Sequence, residues 1–178
     1  TLNSLSNVSV SEDVSTQTVN LSGISSGSAS ESQTLIVTAT SSNTGLIPNP
    51  TVNYASPNAT GSIAFAPVAS AFGSATITIT VNDGGSSNNV VSRSFTVTVN
   101  SVNDTPTLNT LSNLSINQNA SSQTVNLSGV SSGAANENQT LTVTATSSNT
   151  GLIPNPSVNY TSPNTTGTLS FAPTTSAF

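Results

Sequence analysis

Six carboxylates, Glu12, Asp13, Glu31, Asp83, Asp104 and Glu137, and one cation, Arg93, carry all the side-chain charge in 178 residues. Histidine, cysteine and lysine are absent. Without an imidazole, a thiol or an amine, the chain cannot assemble a serine triad, a thiolate nucleophile or a Schiff base. Paired carboxylates remain, and they could in principle serve glycoside hydrolysis. The only adjacent pair is Glu12-Asp13, whose side chains would point to opposite faces of an extended strand. The sequence therefore reads as non-enzymatic. Covalent cross-linking is the other chemistry to weigh. Lack of lysine excludes a Lys-Asn isopeptide bond, while a Thr-Gln ester would need Gln17, Gln33, Gln123 or Gln139 beside a threonine and an acid. Glu31 and Glu137 lie near the second and fourth of these glutamines.

The frame that must position these residues is a repeat. The stretch VTATSSNTGLIPNP occurs at 37–50 and again at 143–156, and Thr1–Phe72 aligns with Thr107–Phe178 without a gap. About seven positions in ten are identical. A period near 100 residues is too long for a solenoid unit and suits a small β-sandwich. The expected organisation is one complete sandwich over 1–104 and a second repeat over 105–178 that lacks its last two strands.

Composition narrows the class further. Serine and threonine exceed a third of the chain, and a third is hydrophobic. The apolar residues alternate, which favours folded β-structure with Thr, Ser and Asn outside rather than disorder. A net charge of -5 and a single basic residue remove the main electrostatic term for nucleic-acid binding. No apolar run approaches the length of a membrane span, and no cleavable signal stands at the start, so Thr1 is read as an internal starting point.

Seven strands are expected in the first repeat, near Ser4–Val10, Thr16–Ser22, Thr34–Ser41, Pro50–Ala55, Gly61–Ala66, Ser74–Asn82 and Val90–Asn100. Leu35, Val37 and Ala39 should face the core and Ile36 should face out, because the second repeat replaces Ile36 by Thr142 and keeps Leu141, Val143 and Ala145 apolar. Ala75, Ile77, Ile79 and Val81, then Phe95, Val97 and Val99, form the inward sets of the last two strands. NDGGSSNN at 82–89 predicts a hairpin turn, since Gly and Asn tolerate positive φ. SNTGLIPNP predicts a corner in which Pro48 and Pro50 restrict the backbone while Leu46 and Ile47 plug the end of the sandwich. The fold class is thus all-β, tandem seven-stranded antiparallel sandwiches.

QTLIVTATSSNTGLIPNP, GSATITITVNDGG and FTVTVNSVNDTPTL together resemble the tandem Ig-like or cadherin-like repeats of large bacterial cell-surface and secreted proteins. The most specific element is Val102-Asn103-Asp104-Thr105-Pro106, matching the V-N-D-x-P signature that closes one such domain and opens the next. The resemblance implies an extracellular or cell-surface, multidomain protein that serves as a stalk, fibre or filament. It also implies calcium at the inter-repeat junction, with Asp104, Asn103, Asp83, Glu12 and Asp13 as candidate ligands. Calcium takes six to eight oxygens, several of them carboxylate. The second repeat has Gln118 and Asn119 where the first has Glu12 and Asp13, which argues against a repeated site. The alternative is a turn whose Asn and Asp cap backbone groups ahead of Pro106.

Expected partners are other copies of the chain or neighbouring repeats. An adhesin module reading a glycan or another surface through its end loops is the alternative, although the chain offers only two tyrosines and five phenylalanines. A second repeat without its last two strands would expose a core. Either a longer array supplies them, which is the favoured expectation, or another chain donates strands. Ten N-x-[ST] sequons, including Asn7, Asn58 and Asn164, carry little weight in a chain so rich in Asn, Ser and Thr.

Overall fold

The computed structural model describes residues 1–28 and 30–176, which form ten strands and no helix. The chain divides into two compact units, Thr1–Val102 and Asn103–Phe178. The first holds β1 (Val8–Ser11), β2 (Gln17–Ser22), β3 (Ile36–Ser41), β4 (Thr51–Asn53), β5 (Thr60–Phe65), β6 (Gly73–Asn82) and β7 (Val90–Asn100). They make two sheets, ordered β1-β7-β6-β3 and β2-β5-β4. One core cluster joins the two, with Leu21, Ile63 and Phe65 from the smaller sheet packed with Ala75, Ile77, Ile79, Val81, Phe95, Val97 and Val99 from the larger. That strand order is the immunoglobulin-like sandwich.

Alternation decides which side each strand buries. Every inward residue expected on β6 and β7 is at most 3% exposed. On the opposite face, Thr78 and Ser94 share a hydroxyl hydrogen bond at 2.9 Å, as do Thr80 and Ser92. Ile36 is 58% exposed, as its replacement by threonine in the second repeat foretold. Asn88 and Gly84 take positive φ in the β6–β7 turn, which closes with the Asp83 N–H donating to Asn89 O.

Two expectations are corrected in this unit and the next. The sandwich is not wholly antiparallel, because β1 runs parallel to β7 with Val8 opposite Val97. The segment expected as one strand, Ser4–Val10, divides its loyalties. Asn3 N–H donates to Ser22 O at the end of β2, whereas Val8–Ser11 has crossed to the other sheet. The second correction concerns the second unit, which among its described residues holds only β8 (Gln123–Ser128), β9 (Ser157–Asn159) and β10 (Thr166–Phe171), ordered β8-β10-β9. Counterparts of β1 and β3, residues 114–117 and 142–147, form no strand. In the first unit their ladder bonds go to β7 and β6, and no such partner lies beside 114–117 or 142–147 among the described residues. An unpaired strand gains no hydrogen bonds for the entropy it loses.

Candidate functional site

The carboxylates are best followed from the elements that carry them. β1 leads into Glu12, whose N–H donates to Asn100 O at 2.8 Å and continues the pairing with β7. This places the Glu12 side chain inside, 4% exposed, where Oε1 accepts the Val102 N–H at 2.7 Å. Asp13 turns the chain away at φ 58°, and its Oδ1 accepts the Ser70 N–H at 2.8 Å. Asn119 does the same work in the second unit, at φ 57° and with 2.8 Å to the Ser176 N–H. Asp83 sits in the β6–β7 turn and its Oδ1 accepts the Gly85 N–H at 2.9 Å.

The β6–β7 ladder runs from Gly73 opposite Val99 to Asn82 opposite Val90. Glu12 and Asp13 lie at the first end and Asp83 at the second, separated by a ten-residue strand that spans about 33 Å. The five residues expected to share a metal therefore do not form one set. Asn103 and Asp104 belong to the second unit, where they meet two residues outside that set. Asp104 N–H donates to Glu137 Oε1 at 2.6 Å, and Gln139 Nε2 donates to Asn103 Oδ1 at 2.6 Å. Asn103 Nδ2 closes the group on Asp104 O at 2.9 Å. Gly133 permits this approach, because a Cβ there would lie 2.6 Å from Thr105 O and 2.7 Å from Asp104 Cβ. Spacing along the chain gave no reason to join Glu137 to Asp104, since the fold-back that unites them depends on that bare glycine.

Glu137 Oε2 is buried and accepts no hydrogen bond. Such an orphan oxygen suits a cation, and the Asp104 main chain is bonded to the other oxygen of the same carboxylate. Among the described residues no three His, Cys, Asp or Glu side chains converge. Calcium takes six to eight oxygens, several of them carboxylate, and of such donors the geometry here offers the Glu137 carboxylate with the Asn103 amide oxygen nearby through Gln139. The glutamine carboxamides of Gln17 and Gln123 donate to the carbonyls of Ser15 and Ser121, the same bond in both repeats and with no threonine involved.

Tyr54 and Tyr160 are half-buried and each covers a glycine. A Cβ on Gly61 would meet Tyr54 Cδ2 at 3.1 Å, and one on Gly167 would meet Tyr160 Cδ2 at 3.2 Å. A depression of about 510 Å³ in the second unit is lined by Tyr160 with Asn126, Asn159, Asn164 and neighbouring threonines. Among the described residues no helix is long and apolar enough to cross a membrane.

The strand order and the single two-sheet core define the first unit as an immunoglobulin-like β-sandwich. No protein-family model and no curated protein matches the sequence. Among solved structures the chain is similar to the titin domains z1z2 in complex with telethonin, at 10% identity over 98% of this chain and 81% of that one, with a TM-score of 0.38. It is also similar to domains 4-9 of the surface layer protein SbsC, at 18% identity over 96% of this chain and 26% of that one, again with a TM-score of 0.38.

Proposed function

We propose that this chain is a non-enzymatic structural protein of the cell exterior whose tandem β-sandwich repeats build a stalk, fibre or filament. The observation that carries the reading is the use made of the carboxylates. Glu12, Asp13, Asp83 and Glu137 each accept a backbone N–H and thereby hold a turn or junction in place. Within the first unit Glu12 and Asp13 lie at the opposite end of the β6–β7 ladder from Asp83, whereas acid–base chemistry needs its carboxylates to converge. The near absence of charge supports a surface that persists outside the cell. Arg93, the one site for trypsin-like proteases, lies within β7, paired with Ile79.

Electron microscopy of native material tests the proposal. Continuous fibres with an axial repeat of about 35–45 Å, the span of a ten-residue strand plus a linker, are expected. Separate globules would overturn it.

The second reading, an adhesin module for a glycan or surface partner, draws support from the hydroxyl- and amide-lined depression at Tyr160. A glycan array decides between the two, since a stalk binds nothing reproducibly. Calcium at Asp104 and Glu137 is a further proposal, supported by the orphan Glu137 oxygen. Calorimetric titration should give heat that Glu137→Gln abolishes; no heat, with thermal stability indifferent to chelator, would remove calcium.

A further inference from the structure

A sheet ends in strands whose outer N–H and C=O groups have no ladder partner, and proteins guard such edges with charge, proline, shortness or a bulge. In the first unit β4 has three residues and follows Pro50. β1 has four and runs into the Glu12 carboxylate. It covers β7 from Val97 to Asn100, and Arg93 stands in the part of β7 beyond it. β2 meets Asn3, whose N–H donates to Ser22 O, and its outward side chains Thr18, Asn20 and Ser22 are polar. β3 closes the larger sheet and carries none of these devices. Its six residues hold no charge and no proline, and its register on β6 runs unbroken from Ile36 opposite Asn82 to Ser41 opposite Ile77. Ile36 stands outward at its start, 58% exposed.

Two side chains set the open length of this edge. Ser42 N–H donates to Thr76 O at 2.9 Å, so the even-numbered residues of β3 bond to β6 and the odd-numbered ones turn their N–H and C=O outward. Of these, Leu35 N–H is taken by Ser56 Oγ at 3.0 Å and Ser41 N–H by Asn49 Oδ1 at 2.8 Å. Val37 and Ala39 lie between the two caps, and Thr38 is midway. An edge capped symmetrically about its central residue is complementary to itself. Turned about a two-fold axis at Thr38, Val37 of one copy falls opposite Ala39 of the other, and the caps end the ladder at the same place on both sides.

We propose that β3 pairs with β3 of a second copy of this chain, antiparallel and centred on Thr38. Val37 and Ala39 then exchange both main-chain bonds with their opposites, and the two four-stranded sheets become one. Thr38 meets Thr38 across the axis and Ile36 meets Thr40, in the closely spaced pairs where side chains interact most strongly. A second copy suits the edge because its caps are symmetric and because β3 brings no charge to repel its own image. So few residue pairs bury less surface than a stable dimer needs, and the contact is weak and reversible. It belongs to the first sandwich and requires nothing of the proposed role at the cell exterior.

Single cysteines test the register, since the chain has none of its own. Thr38→Cys, Thr40→Cys and Thr76→Cys are all exposed on the same outward face. Under mild oxidation Thr38→Cys should form a disulfide-linked dimer at least about tenfold faster than the other two, because such opposed pairs bring Cα atoms to about 4.5 Å, within disulfide reach. Sedimentation of the unaltered chain across millimolar concentrations should show a monomer–dimer equilibrium. Thr38→Lys and Thr38→Glu should each weaken it at least about tenfold, and mixing the two should restore it, since like charges directly opposite repel and unlike ones attract. Amide exchange of β6 is the folding control. A monomer at every concentration, with cross-linking no faster at 38 than at 40 and 76, would overturn the inference. So would dimerisation indifferent to Thr38→Lys. Absence of fibres by microscopy with the Thr38 cross-link present would count against the stalk and leave this contact standing.

Discussion

Residues 37–50 and 143–156 are the same fourteen letters in two settings. In the first, Val37–Ser41 is strand, with Val37 opposite Val81 and Ala39 opposite Ile79. In the second, the same five residues form no strand. The corner that follows behaves alike in both. Ile47 and Ile153 N–H groups donate to Asn43 and Asn149 carbonyls at 2.9 Å, and Ser41 and Ser147 N–H groups donate to Asn49 and Asn155 Oδ1 at 2.8 and 2.9 Å. Turn chemistry travels with its own residues, because donor and acceptor lie a few positions apart. Strand formation does not, because its partner lies about forty residues away and must be present.

Matched substitutions sharpen this contrast, and unit-resolved amide exchange in urea is the measurement throughout. Ile47→Ala should cost the first unit about 3 kcal/mol, since Ile47 is fully buried, and Ile153→Ala should cost the second about 1 kcal/mol from a half-buried site. Equal losses would mean that the second corner is packed as tightly as the first. Leu2→Ala should cost about 2 kcal/mol and Leu108→Ala less than ~0.5 kcal/mol, the first being buried and the second 48% exposed.

Smaller effects should be symmetric. Asn43→Ala and Asn149→Ala each remove a side-chain acceptor for the N–H of Leu46 or Leu152, at 3.2 and 3.1 Å, and each should cost about 1 kcal/mol. A large difference between them would show that the corner is not locally encoded. Asp13→Asn should change stability by less than ~0.5 kcal/mol, because Asn119 already performs that role. A marked loss, appearing only with calcium present, would instead assign the Asp13 charge to a metal.

The first sandwich was largely legible from alternation. Observed β2 to β7 all begin and end within about two residues of the expected strands, and Leu46 and Ile47 are buried at the corner as anticipated. The crossing of β1 to the far sheet was not legible, since Ser4–Val10 alternates smoothly and nothing local marks where its partner changes. The candidate cluster was half legible. VNDTP drew notice to Asn103 and Asp104, but Glu137 enters through a fold-back at Gly133 whose φ of 114° and absent Cβ matter only once the chain lies against Thr105.

By itself the sequence determined what short range can determine: the face each strand buries and the turns at 82–89 and 43–50. Whether VTATS is a strand, and whether a leucine at the start of a repeat is core or surface, was decided only by tertiary structure. The reason is physical, because a β-ladder satisfies its backbone through a distant partner, and identical residues without that partner have nothing to pair with.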